Sequence, residues 1–336
     1  MPISAKQRAA LTKTKQPDFR KLQLRWALGG GIPDSHLEER HGQLSWVLKQ
    51  HHRKKNLFDP GWWEYIQGSE HRWARALNSS QCFGVNLFSP LARNPRLARV
   101  ILSQLQPGRF FSDQDQVSVL FEYTPAGAAQ WLGEAGQPTQ IDVCFQIDRP
   151  VRAPSFVFVE VKYSERSFGA SRGWKQTARG SDKLDCLDVS AILNDHSKCW
   201  LVRVEHRRYW EIMAQPQSSM APEEIKAAGA CPFRYGLYQL MRNRVLADEM
   251  VRQSRAEWVD VVACTHPANK RLRILAESIS CHADAIEAFR SLSSESSLGS
   301  WDARRVIELT ATAAPELEEW RNWMQRRYFA DEQTPK

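Results

Sequence analysis

The stretch "FVFVEVKYSE", residues 156–165, decides the fold. Its Phe and Val residues read as a buried strand, yet Glu160 and Lys162 set a carboxylate and an ammonium two residues apart within it. Burying either charge without a partner costs several kcal/mol, comparable to the stability of a whole domain. Side chains alternate along a strand, so Phe156, Phe158, Glu160 and Lys162 share one face. Val157, Val159, Val161 and Tyr163 share the other.

The preceding apolar run, "TQIDVCFQI" (139–147), carries a second embedded acid, Asp142, on the face of Cys144 and Gln146. A hairpin about "DRPVRAPS" with its register centred on Val151 sets Asp142 opposite Glu160. Two carboxylates placed so repel unless a proton or a cation lies between them. A divalent ion with oxygen ligands and water, Mg²⁺ with Mn²⁺ as a substitute, answers that need. A slip of one residue would turn Asp142 to the other face. The competing reading is an edge salt bridge between Glu160 and Lys162, worth under about 1 kcal/mol. A second Glu-x-Lys, Glu224 to Lys226 in "APEEIKAAG", follows no apolar strand and reads as chance.

Outward from the hairpin, "VSVLFEY" (117–123) completes a three-stranded meander. Before it, residues 58–77 read as a helix with Trp63, Ile66, Trp73 and Leu77 toward the core, followed by "SSQCFGVNLFSPLA" and a helix opened by Asn94 and Pro95. After it, 164–185 form a polar, basic loop, 198–204 a strand, 232–253 a long helix and 258–264 a final strand. The result is an α/β fold, a mixed sheet flanked by helices. Three segments are expected: a basic N-terminal extension (1–57), a central domain (58–290), and a Ser-rich link with a helical appendix (291–336).

Residues 1–55 hold twelve Lys or Arg against four acids, so the whole net charge of +8 sits there. Such an arm suits a polyanion, or else is a solvated tail. No apolar run of membrane-spanning length and no secretory signal is visible. Seven scattered cysteines without a C-x-x-C pair suit a reducing compartment, and a cytoplasmic location is expected. His196 and Cys199, with Cys186 and Cys231, form a thiolate-site alternative that lacks a tight pair.

"TQIDVCFQI" with "SFVFVEVKYSE" resembles the PD-(D/E)XK nuclease superfamily, with Ile141 where the family proline stands. The likeness runs from about Trp62 to Cys264 over an αβββαβ core, the restriction-endonuclease-like fold with helical N- and C-terminal additions. "SSQCFGVNLFSPL" and "YGLYQLMRN" are similar to a bacterial restriction-endonuclease group. The resemblance implies Mg²⁺-dependent phosphodiester hydrolysis by a DNA endonuclease, in restriction or phage defence. It assigns Asp142 and Glu160 to the metal and Lys162 to the attacking water. It also matches Glu70 to the extra acid of some members, and Gln239 to the first residue of a Q-x-x-x-Y helix motif in which Asn243 replaces the tyrosine. Packing roles are the other reading of Glu70 and Gln239. Arg166, Arg172, Lys175, Arg179 and Lys183, on the loop after the strand, would contact phosphates, with Trp174 among them either stacking on a base or packed beneath the loop. Double-strand cutting needs a homodimer or two sequential nicks. The alternative function is a nuclease-fold protein that binds nucleic acid or a partner without cleaving.

Overall fold

The hairpin forms with its register centred on Val151: Val143 pairs with Val159, Cys144 with Phe158 and Phe145 with Val157. Val151 itself is fully exposed at the apex, with φ at 62°. The structure is a computed structural model that describes residues 18–40, 43–136, 138–171, 186–234, 236–272, 284–293 and 298–330.

Its strands are β1 Leu37–Arg40, β2 Gln43–Leu48, β3 Gln116–Tyr123, β4 Ile141–Asp148, β5 Ser155–Lys162, β6 Val259–Thr265 and β7 Leu298–Asp302. The α-helices of eight residues or more are α1 Phe19–Trp26, α2 Ser80–Ala92, α3 Pro95–Leu105, α4 Tyr238–Arg252, α5 Ala303–Ala313 and α6 Glu318–Tyr328. β1 and β2 form a separate pair, while the main sheet runs β3-β4-β5-β6-β7. Its first three strands are the antiparallel meander, and β6 and β7 add in parallel. This is the mixed α/β architecture expected from the sequence.

β5 is buried at every position because helices cover both faces of the sheet. On one face Cys144, Phe156 and Phe158 pack with Leu240, Met241 and Val245 of α4. On the other, Val143, Val157, Val159 and Val161 pack with Phe83 and Phe88 of α2, Ile101 of α3, and Val306 and Trp320 of α5 and α6. Helices α2 and α3 start where side-chain caps allow: Ser79 accepts from the Cys82 N–H, and Asn94 from that of Leu97, with Pro95 in the first turn.

Three local expectations are corrected. Residues 58–77 are not a long helix. A 3-10 segment, Pro60–Tyr65, gives way to turns at Gly68, whose φ is 90°, and Trp73 is 53% exposed, whereas Trp63, Ile66 and Leu77 are buried. Residues 198–204 are not a strand. Asp195 caps a 3-10 turn, a short helix follows at Trp200–Arg203, and the place beside β5 belongs to β6. The Ser-rich stretch at 291–300 ends in β7, an edge strand of the main sheet.

Helices α1 and α6 meet beside β5. Gln23 of α1 donates to the Tyr163 hydroxyl at 2.9 Å and to the Arg327 carbonyl at 2.8 Å. The Arg327 guanidinium in turn lies over Trp26 and Trp323. Because Tyr163 directly follows Lys162, this packing fixes the exit of the strand that carries the charged pair. No helix among the described residues is long and apolar enough to cross a membrane.

Candidate functional site

The β4–β5 ladder stops at Val143 and Val159, and one step outward the Asp142 Oδ2 accepts the Val161 N–H at 2.8 Å. By strand alternation Asp142 and Glu160 then lie on the face of Cys144 and Phe158. Glu160 is 1% exposed. Its Oε1 accepts from Lys162 Nζ at 2.6 Å, and its Oε2 from the Asn243 amide of α4 at 2.9 Å. Lys162 is 4% exposed. Each buried charge of the quoted stretch thus has the other as its partner.

Electrostatics at this spot are asymmetric. Burial first, and then the Glu160 charge, push the Asp142 carboxyl up to about 8, against the pull of Lys162. Burial alone would lower Lys162, but Glu160, Asp142 and Glu165 together outweigh it and hold the ammonium above the ordinary lysine range. Lys162 is therefore a firm cation and a hydrogen-bond donor.

Two clefts meet at Asp142. The larger, about 520 Å³, is lined by Lys162, Arg20, Trp46, Trp73 and Glu165 among others. The smaller, about 170 Å³, is lined by Glu122, Glu134, Arg207, Tyr209 and Arg242 among others. His71, Asp142 and Gln239 border both. Gln239 reaches this border because its backbone N–H bonds Phe168 and its side chain lies against Gly169. A Cβ at that glycine, whose φ is +77°, would come within 3.0 Å of the Gln239 amide oxygen.

Sequence reasoning missed Glu122. On β3 the pairs Phe121–Val143 and Tyr123–Ile141 bracket it, so Glu122 stands level with Asp142. Acids from three consecutive strands, Glu122, Asp142 and Glu160, therefore fall in one row across the sheet. Glu122 has φ at 49°, in the left-handed region. Gln81 of α2 donates to its Oε1 at 2.7 Å, and His71 Nε2 lies 3.5 Å from its Oε2. The hydrogen bond to Glu122 raises the His71 pKa, opposed by burial and aided by the Glu122 and Asp142 charges. Asn243, the departure from the helix motif, is the other residue the sequence gave no reason to place against Glu160.

The remaining expected residues fall elsewhere or outside the described chain. Glu70 lines neither cleft: it sits in a turn rather than on a helix, accepting from Trp63 Nε1 at 3.2 Å and the Gly68 N–H at 2.8 Å. Its own backbone N–H and that of Gly68 hold its pKa below the usual range. Arg166 is exposed just past the end of β5. Arg172, Lys175, Arg179 and Lys183, with Trp174, lie outside the described residues. Burial, and then the neighbouring Cys199 and Cys186 thiols, push the Cys231 thiol far above its ordinary value.

Among the described residues no three His, Cys, Asp or Glu side chains are grouped as a ready metal cage. The oxygen donors at Asp142 and Glu160 instead fit an ion that keeps most of its own waters, as Mg²⁺ does with one or two carboxylates and a substrate phosphate. Asp142 borders both clefts, and a cation there would offset the burial, and then the Glu160 charge, that hold its carboxyl up.

No curated protein and no solved structure matches the chain. A family model described as Restriction Endonuclease associating with ARP matches residues 12–329. With nearly its entire length inside that match, the chain belongs to this restriction-endonuclease family.

Proposed function

We propose that the protein is a Mg²⁺-dependent nuclease of the PD-(D/E)XK type, an endonuclease that hydrolyses phosphodiester bonds of DNA. The observation that carries this reading is the convergence of Asp142, Glu160 and Lys162 where adjacent strands end, beside a cleft about 520 Å³ in volume. Family membership supports it. Restriction or phage defence is the setting that follows.

Asp142 and Glu160 would hold the ion, which when bound supplies charge neutralisation at the phosphate and lowers the pKa of a water. Lys162 keeps its proton, so its part is to donate to the attacking water or to a phosphate oxygen and to stabilise the added negative charge of the transition state. Asn243 holds the Glu160 carboxylate in orientation from the far side. Gln239, at the border of both clefts, would position the substrate.

One observation favours a binding role without cleavage: both Glu160 oxygens already hold protein donors. A single experiment separates the readings. Purified protein is incubated with supercoiled plasmid and with linear DNA, with Mg²⁺ or chelator, beside Asp142→Ala and Lys162→Ala. The nuclease reading expects Mg²⁺-dependent cutting of circles that both substitutions abolish. Equal cutting by all three proteins would move the active site elsewhere, and binding without cutting would establish the second reading.

A further inference from the structure

The larger cleft carries more than its catalytic floor. Trp73, which sequence periodicity assigned to the core, is 53% exposed and lines this cleft. The Arg72 guanidinium lies 4.7 Å from its ring centroid. Elsewhere on the lining, Arg20 lies 4.7 Å over Trp46. An exposed tryptophan on a cleft lining is a large apolar face held out of the core, beside guanidinium groups that favour stacked π-systems.

The same rim concentrates positive charge. Burial, then Arg166 and then Arg20, depress the Arg271 pKa, with Asp18 acting the other way. Arg20 lines the cleft, and Arg166 follows the cleft residue Glu165 in the chain. Guanidinium forks match phosphate oxygens.

Cleft size narrows the ligand. A volume of about 520 Å³ suits a small molecule or one nucleotide rather than a duplex. Within a duplex the base faces are covered by their neighbours, so only an extruded, frayed or single-stranded base offers a face to an indole.

We propose that the larger cleft receives one unstacked nucleotide of a DNA strand, its base lying on the Trp73 indole and its flanking phosphate held by Arg20 of the lining and Arg166 beside it. This rests on the phosphodiesterase reading of Asp142, Glu160 and Lys162, and it makes unpaired or readily extruded positions the preferred point of engagement. Trp73 is thereby a specificity-determining residue.

The test is fluorescence anisotropy in chelator with a labelled single-stranded oligodeoxynucleotide and with the same sequence annealed, on wild type, Trp73→Ala, Trp73→Phe and Arg166→Gln. Circular dichroism confirms that each variant folds. Trp73→Ala is expected to weaken single-strand binding about 5- to 100-fold and to reduce the single-strand preference, with Trp73→Phe recovering most of the loss. Arg166→Gln is expected to weaken binding and flatten its salt dependence. Single-strand affinity of Trp73→Ala within about twofold of wild type, or an equal loss on both forms of DNA, would overturn the proposal. An RNA oligonucleotide that displaces the single-stranded DNA at equal concentration would overturn the assignment to DNA. Mg²⁺-dependent cleavage is scored separately. Cutting that depends on Lys162 while binding ignores Trp73 removes the cradle alone. Trp73-dependent binding without any cutting removes the nuclease reading and leaves the cradle standing.

Discussion

Asn243 donates its side-chain amide to Glu160 Oε2 at 2.9 Å, on the opposite oxygen from the one that Lys162 holds. The orientation of the amide follows from its partner, since an ionised carboxylate only accepts. The Asn243 carbonyl oxygen is buried without a hydrogen bond. Asparagine is therefore kept here for its donor end, at a cost at the other.

That arrangement predicts a separation of stability from activity. Asn243→Leu loses a hydrogen bond to a charged group, about 1.5–3 kcal/mol, but also removes the stranded carbonyl, worth about 1–3 kcal/mol. Urea denaturation should show a net loss under about 2 kcal/mol. On the proposed nuclease reading, cleavage of plasmid should fall about 10- to 100-fold, the usual effect of freeing a carboxylate that holds a metal from its support. A variant that cuts at the wild-type rate would exclude Asn243 from the site.

Lys162 and Glu160 are a buried pair, so removing one leaves the other uncompensated. Lys162→Met is expected to cost about 3–5 kcal/mol as well as activity. In the double variant Lys162→Met with Glu160→Gln neither member of the pair leaves a partner stranded, and much of that stability should return while cleavage stays absent. Denaturation of both variants checks this. A double variant as unstable as the single would mean that packing around the pair, not charge, sets the cost.

The hairpin and its charged pair were legible because the loop from Asp148 to Ser155 is short and nearly symmetric about Val151, so alternation and register followed from the residues alone. Glu122 was not legible as a site residue. The β3–β4 connection contains a short helix, Ala128–Leu132, and a long irregular stretch, which give no centre from which to count a register. Trp73 was misassigned for a related reason. Helical periodicity from Trp63 to Leu77 matched several buried residues, but the 3-10 segment ends at Tyr65 and turns, including Gly68 with φ at 90°, carry the chain on past Trp73. The strand expected at 198–204 shows the limit of apolar alternation, since a capping aspartate and an occupied sheet neighbour decided the outcome.

Glu122 completes the row with Asp142 and Glu160, and its charge is one of those that raise the Asp142 pKa. Its left-handed backbone, φ 49°, costs about 1–3 kcal/mol, which the bonds from Gln81 and His71 help to offset. Glu122→Gln is expected to lower Mg²⁺-dependent cleavage about 10- to 100-fold and to raise the Mg²⁺ concentration needed for half-maximal rate. It also removes the main cause of the raised His71 pKa, so the His71 ring should titrate at lower pH by NMR. An unchanged titration would mean that the two side chains are not coupled in solution.

His266 links fold stability to pH. Its Nε2 lies 2.9 Å from the Tyr328 carbonyl and its Nδ1 accepts the Ala268 N–H at 3.2 Å, so the neutral Nε2–H tautomer satisfies both contacts. Protonating Nδ1 would break the second contact and put a charge into the core. Burial accordingly lowers the His266 pKa from 6.5 to about 4, despite the carbonyl that favours the charged form. The unfolded chain takes up this proton first as the pH falls. The contribution is complete above about pH 6.5, declines as the pH falls through about 4, and is constant below that, amounting to about 3 kcal/mol in all. Urea midpoints measured from neutral pH down to about 4 should show this decline, and His266→Gln should remove that part of it. Equal pH dependence in the two proteins would place the acid sensitivity on other groups.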